Sequence, residues 1–370
     1  MDGDIQALID SAAAFRRRVA QAKRDLGAVD FEWYPYDTIS ALNHLNRLLT
    51  GPDRALLSAP KMRILDVGPG DGELSLLFES LGHEVVAVDH HLYNHNGLRG
   101  LRALTRAFSS AVEIHEVDLD RNFDLPHPHY DLVVFLGVLY HLRNPFHVLE
   151  KLAAHSSQCL LSTRIARRFP GGKRMPENLA LAYLLDDRES NDDDSNYFVF
   201  SETGLRVMLE RSYWEIRAFM TTRQDDISEP ARLDRDERAF CLLKSRYAKF
   251  ADVELLEGWY DPEDTGWRWT ARVFSARGVW NEPYRPRSVT ARVFVAAKLV
   301  DRCGKLRLTT CVNGKRLAPQ VFESPGAYAV VRPVPDAREF HLHFELSHAL
   351  EPDEDDDREL GLIVESIRIE

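Results

Sequence analysis

The segment Asp66-Val67-Gly68-Pro69-Gly70-Asp71-Gly72 sets three alternating glycines directly after an apolar run, Met62 to Val67. Glycine carries no Cβ, so such a turn can adopt left-handed geometry and bring its backbone close to a ligand. The turn holds two carboxylates, Asp66 and Asp71, which suit a ligand bearing positive charge. Asp89 ends the next apolar run, nineteen residues beyond Gly70, where a carboxylate can accept hydrogen bonds from ribose hydroxyls. His90 follows it and lies against the same ligand. Asp118-Leu119 closes a third run; the acid can pair with an exocyclic amino group while the leucine covers a ring. A fourth run, Tyr130 to Leu136, brings Phe135 and Gly137 as an apolar wall and then the polar groups of Tyr140 and His141.

The ligand chemistry follows from the spacing. A dinucleotide turn reads G-x-G-x-x-G and would need glycine at position 73. Glu73 stands there instead, and a carboxylate at a helix start sits badly beside a pyrophosphate. S-adenosylmethionine (SAM) has no phosphate and carries an ammonium, a carboxylate and a sulfonium. The acids of the turn therefore point to SAM rather than NAD. Methyl transfer from a sulfonium is an in-line displacement in which alignment is most of the task. An oxygen nucleophile must also lose its proton. His141 is the base that the sequence offers, or else a helix-start histidine bonded to backbone. Tyr140 would orient cofactor or substrate. Trp33, Tyr34 and Tyr36 either close the site and face the sulfonium through cation–π contact or pack beneath the sheet. Arg164 lies past the fifth strand and could hold an anionic substrate group. His90, His91 and His95 lack a carboxylate at useful spacing, so no metal site is expected.

These residues need a frame of parallel strands to bring them to one edge. Strand-like runs at 62–67, 84–89, 112–118, 131–137 and 159–163 alternate with helical segments at 73–81, 101–108 and 145–155. That alternation predicts βαβ units, and the continuously apolar strands predict a sheet covered on both faces. Two later runs, 213–220 and 239–243, would pair antiparallel and complete a seven-stranded sheet near residue 246, with 223–238 as their polar connection. A strand-like run at 197–200 and a helix from Ser201 to Arg211 precede them, and 176–196 reads as irregular. Upstream, apolar residues at helical spacing predict a helix over 5–25 and another after Asp37 or Thr38 that stops at Gly51.

From about residue 250 the period changes to two. Seven runs, at 253–259, 267–274, 290–296, 306–312, 327–331, 339–345 and 361–369, predict strands and no helix. Asn313-Gly314 is a two-residue hairpin signal. Trp259, Trp267, Trp269 and Trp280 cluster in the first runs, either filling the core or stacking on sugar rings. The expected fold is α/β: a Rossmann-like seven-stranded sheet with N-terminal helices, followed by an all-β, jelly-roll-like sandwich. The expected divisions are a helical cap over 1–55, a catalytic domain over 56–247 and the sandwich over 248–370.

The turn, the acids at Asp89 and Asp118 and the fourth-strand segment together resemble class I SAM-dependent methyltransferases. More narrowly, YDLVVFLGVLYHLRNPFHVLEKL is similar to the group of tRNA wobble-uridine methyltransferases and carboxymethyltransferases, as are Trp33-Tyr34-Pro35 and YFVFSETGLRVMLE. The resemblance spans roughly residues 30–220 and implies SAM as cofactor, with Tyr140 at its reactive end. It also implies tRNA as one possible partner. The ends of the C-terminal region look like small β-sandwiches appended to bacterial glycan-biosynthesis proteins, which implies a saccharide or other small-molecule hydroxyl as acceptor.

The net charge of −11 argues against a broad phosphate-binding surface. The basic run Arg164 to Lys173 is a solvated loop or a local groove. Four cysteines without CxxC spacing predict buried thiols in a reducing compartment. No apolar run reaches the ~18–20 residues of a membrane span. The acidic start, Met1 to Asp4, has no signal-peptide layout, so a cytoplasmic location is expected.

Overall fold

The computed structural model describes residues 5–58, 61–127, 129–192, 195–222, 228–247, 251–263, 266–280, 286–353 and 356–369. The acidic start at Met1–Asp4, the end of the acidic stretch at 193–194, most of the Arg223–Arg238 connection's first part and the centre of the 351–359 tract lie outside the described residues. The chain divides into two compact units, Met1–Arg246 and Tyr247–Glu370.

In the first unit, β1 (Arg63–Val67), β2 (Glu84–Asp89), β3 (Glu113–Glu116), β4 (Tyr130–Leu136) and β5 (Ser156–Ile165) form a parallel sheet in the order 3-2-1-4-5. Their buried faces explain the continuous apolar runs: Ile64 to Val67 and Leu132 to Phe135 are all buried. Strand order reverses between β1 and β4, and a crevice forms beyond the carboxyl ends of such strands. After β6 (Ala182–Leu184) and β7 (Phe198–Phe200) come β8 (Trp214–Thr221) and β9 (Glu237–Ser245). β9 returns antiparallel along β5 from Gln158 to Ile165, and β8 pairs antiparallel with β9.

Among the described residues the sheet therefore has nine strands rather than the expected seven. The extra pair is β6 and β7, attached through Ile165 opposite Phe200. The 176–196 segment, read as irregular, supplies β6 and the one-turn helix Glu189–Asp192.

Four helices cover one face of the sheet: α1 (Ile5–Asp25), α2 (Ala41–Leu48), α3 (Glu73–Ser80) and α4 (Arg99–Ala107). Ile5, Leu8, Ala12, Phe15 and Val19 of α1 and Leu42, Leu45 and Leu48 of α2 share a core with Ile64, Leu132, Val134, Leu160, Phe240 and Leu242. The 3.6-residue stripe on each helix is what meets the sheet. Gly51 opens a 3-10 helix, Gly51–Ser58, rather than ending the ordered chain. Helix Pro145–Ala154 is tied to β8 by the Trp214 indole, which donates to the Leu149 carbonyl at 3.1 Å. Ser201 caps the helix Glu202–Arg211 by accepting from the Gly204 amide at 3.0 Å.

In the second unit, eleven strands form two sheets, of six and five strands. The central strands Val273–Trp280, Ser288–Val295 and Glu339–Leu346 bury every second residue, as a half-solvated antiparallel sheet requires. Asn313 and Gly314 both have positive φ, 47° and 75°, the geometry of a tight two-residue hairpin. One helix, Ala297–Cys303, stands where none was expected; it is two turns long and buries only Leu299, too short for a visible period. Trp280 is buried, and Trp259 packs edge-on to Phe274 while its indole donates to the Ser275 carbonyl.

All four cysteines are free. Cys159 and Cys241 are buried, and burial pushes both thiols up; Cys303 and Cys311 are only half-buried. Among the described residues no helix is long and apolar enough to cross a membrane.

Candidate active site

Gly68, Gly70 and Gly72 follow β1 with φ of 69°, 62° and 81°, all in the left-handed region. Each also lies where a Cβ would strike a neighbour: Val138 Cγ2 at 2.5 Å for Gly68, the Tyr34 ring at 2.9 Å for Gly70 and Leu101 Cδ1 at 2.2 Å for Gly72. Val138 follows β4 and Tyr34 belongs to the segment before α2, so the turn is enclosed from two sides. A backbone cradle open only to glycine is the fit that a closely approached ligand requires.

The acids of the turn differ in their surroundings. Asp66 is buried and its carboxylate accepts from the Ser75 hydroxyl at 2.5 Å. Burial pushes its pKa up to about 6, with Asp89 adding to the rise and Ser75 opposing it. Asp71 was expected at the ligand; its carboxylate is instead consumed by protein. One oxygen accepts from the Lys23 ammonium at 3.1 Å and the Tyr34 amide at 2.9 Å, the other from the Asn96 side chain at 2.8 Å. It therefore fastens the N-terminal cap to the turn.

Asp89 ends β2, half-buried, accepting from the His90 amide and the Asn94 side chain, both at 2.8 Å. A carboxylate has about four acceptor sites, so two remain for hydroxyl donors. Burial raises its pKa, against the pull of Asn94 and His90. The His90 ring lies against His91 and Tyr93, so its contribution here is its amide. Asp118 is paired with the exposed Arg121 at 3.0 Å, and Leu119 beside it is buried. Phe135 is wholly buried within the sheet rather than forming an open wall. Gly137 has φ 78° and sits below the Tyr140 hydroxyl and the Arg238 guanidinium.

Tyr140 and His141 are placed together beyond β4, their rings 4.2 Å apart. The His141 Nδ1 lies 3.0 Å from the Ser195 carbonyl, and the Tyr140 carbonyl accepts from the Tyr197 amide. Both residues are thus oriented by the 195–197 segment.

The aromatic segment divides. Tyr34 lies on Gly70, and its hydroxyl pKa is pushed up to about 12 by burial and by Tyr140, with Arg238 opposing. Trp33 does not face the site: Lys23 sits over its ring at 4.8 Å, and it packs into the core shared by the N-terminal helices. Tyr36 is exposed at the rim, edge-on to Tyr34.

Arg164 is not an open anion-holding side chain. Its side chain is 2% exposed, and it donates to Asp236, Ser190 and the carbonyls of Pro230 and Arg232. Its guanidinium is engaged by protein acceptors on every nitrogen. The 167–174 loop lines a cleft with Glu177, Glu202 and Thr203, but Arg167 pairs with Glu237 and Glu202, and Arg174 with Glu177.

Two residues at this edge carry no local sequence signal. Arg238 opens β9 beside the end of β5 and donates to Asp236 at 3.0 Å and to Tyr140. His44 of α2 stacks on Phe240 of β9, ring centroids 4.7 Å apart.

Residues 35–218 match the family model of the methyltransferase domain. The chain thus carries a class I SAM-dependent methyltransferase domain: it is a SAM-dependent methyltransferase, and SAM is its cofactor. No curated protein matches the chain. Among solved structures, the chain is similar to the N-terminal domain of EvdMO1, crystallised in the presence of S-adenosylhomocysteine (SAH) and D-fucose. That match has 16% identity and a TM-score of 0.42 over 62% of this chain and 96% of that one. A second is the 1,6-didemethyltoxoflavin-N1-methyltransferase of Burkholderia thailandensis, at 14% identity, TM-score 0.37, 52% of this chain and 74% of that one. A third is TehB of Haemophilus influenzae, at 19% identity, TM-score 0.36, 52% of this chain and 60% of that one.

Proposed function

We propose that the chain methylates a hydroxyl of a small molecule, a saccharide among the candidates, at the edge between the N-terminal cap and β4. The observation that carries this reading is the enclosure of the glycine turn. Tyr34 lies against Gly70 and Val138 against Gly68, so side chains from the N-terminal segment and from the end of β4 crowd the turn, which favours a small acceptor over a polymer.

SAM supplies the electrophilic methyl on its sulfonium. In this reading the chain binds it through the backbone of Gly68, Pro69, Gly70 and Gly72. Asp66 offers a buried negative charge to the ammonium, Asp89 accepts from the ribose hydroxyls, and Asp118, beside Leu119, accepts from the adenine amino group. His141 takes the acceptor's proton: its ring is fixed through Nδ1 at Ser195, an arrangement that orients a histidine base. Tyr140 positions the acceptor. The two C-terminal sheets are read as a β-sandwich that contacts substrate or partner.

The test is incubation of the full-length protein with methyl-labelled SAM and a cell extract, followed by separation of small molecules from RNA. Label in the small-molecule fraction supports the proposal. Label confined to tRNA would replace it with the wobble-base reading that the GVLYH segment suggests.

A further inference from the structure

The cap-facing side of the site holds more positive charge than its neighbours neutralise. Asp236 is shared: one carboxylate oxygen accepts from Arg164 at 2.8 Å and the other from Arg238 at 3.0 Å. Arg164 spends its remaining donors on neutral acceptors, Ser190 and two carbonyls. Two guanidiniums thus meet one carboxylate. The adjacent acid, Glu237, is committed to Arg167. Arg164 is sealed, whereas about a third of the Arg238 side chain (35%) is open. The excess charge is therefore available at Arg238, whose guanidinium lies 5.7 Å from the Tyr140 ring centre, above Gly137.

His44 stands on the same side. Its ring is stacked on Phe240, two residues along β9 from Arg238. Its Nδ1 is buried with no hydrogen-bond partner. A buried polar atom without a partner costs roughly 1–3 kcal/mol, and at a functional site a ligand can satisfy it. The charged groups that act on the ring are Arg47 of its own helix and Arg238 of the facing strand; with burial as the larger cause, they hold its pKa below the ordinary histidine value. A cation with spare donors and an imidazole nitrogen without a partner, both against the reacting edge, form a receptor for negative charge.

We propose that Arg238 and His44 form an anion subsite, so that the methyl acceptor carries a carboxylate or phosphate close to the hydroxyl that is methylated. This rests on the methyltransferase reading of the same edge. Arg238 would present its planar fork to the anion, the geometry in which arginine binds both groups most strongly. His44 would donate from Nδ1. The cofactor's own carboxylate has the same chemistry and is the other possible occupant, so the experiment must separate the two.

Full-length protein labelled with 15N-histidine is titrated with inorganic phosphate, and separately with acetate, with and without saturating SAH. The His44 signal is identified by its loss in His44→Gln. The expected result is a saturable shift of that signal and a rise in its pKa, retained when SAH is bound. Arg238→Gln should weaken phosphate binding at least tenfold and Arg238→Lys, which keeps the charge without the fork, by less, while Arg211→Gln leaves it unchanged. No shift, an equal shift in Arg238→Gln, or a shift abolished by SAH would overturn the proposal; the last would assign the subsite to the cofactor carboxylate. Should Arg238→Gln not fold, the wild-type and Arg238→Lys titrations decide alone. Calorimetry with SAH on the same samples tests the cofactor reading separately. If wild type fails to bind SAH, that reading fails, and the phosphate titration of the ligand-free protein still judges the subsite.

Discussion

The carboxylate of Asp71 accepts from the Lys23 ammonium at 3.1 Å, across forty-eight positions of sequence. The same oxygen takes the Tyr34 amide, and Lys23 reaches on to Glu73 at 2.8 Å. Breaking a buried pair by removing one partner costs roughly 3–5 kcal/mol. Asp71→Ala should lower thermal stability by an amount of that order and loosen the cap. Limited proteolysis between α1 and α2, compared with wild type, reads the second effect. Unchanged stability and cleavage would mean that the contact does not hold the cap.

Asp66 sets a pH dependence. Its folded pKa, about 6, lies above the ordinary aspartate value of 3.8. The folded chain therefore binds more protons than the unfolded one between these values, and its stability falls as pH rises through that window. Asp66→Asn should flatten this fall in denaturant titrations from pH 4 to pH 7. The affinity for SAH should change in the opposite sense, rising as pH increases through about 6, because the ionised carboxylate attracts the ligand ammonium. Calorimetry showing a flat or falling affinity over pH 5 to 7.5 would remove Asp66 from the site.

Gly68 is constrained by both conformation and space. Gly68→Ala puts a methyl at φ 69° and 2.5 Å from Val138 Cγ2. SAH affinity should fall at least tenfold. The double variant Gly68→Ala/Val138→Ala should recover part of that loss by removing the clash, leaving the cost of the left-handed backbone, on the order of 1 kcal/mol. No recovery would show that the ligand, not Val138, meets the new methyl.

His141→Ala should lower the turnover number by roughly 10²–10⁴ if the residue is the base, with SAH affinity changed little. Labelled methyl transfer into the active fraction measures the first and calorimetry the second. Equal losses in both would reduce His141 to a packing role beside Ser195.

The parts of this site that could be read from sequence are those that one strand and its following turn determine. The glycine turn follows β1 within five residues, Asp89 is the last residue of β2, and Asp118 lies two residues past β3. The partners of Asp71, which are Lys23, Tyr34 and Asn96, arrive from the cap and from the loop after β2. Nothing in the turn itself shows that they fold onto it. Arg164 lies near the end of β5, and its partners come from residues 190 and 230–236, far along the chain. His44 and Arg238 are 194 positions apart in the chain. They come to the same side because β9 returns antiparallel beside β5, with Phe240 under the His44 ring two residues from Arg238. The apolar run at 197–200 shows β7, whereas β6, three residues within an irregular stretch, is too short to show a period.

The placement of Tyr34 on Gly70 has a kinetic consequence. The segment that lies on the turn runs directly into α2, which carries His44, so the wall on the acceptor side is complete only when the segment is seated. Methyl donor must then load before acceptor, and the demethylated donor must leave last. Steady-state inhibition by SAH should accordingly be competitive with SAM and noncompetitive with the acceptor. Competition with the acceptor instead would indicate that the two ligands enter independently.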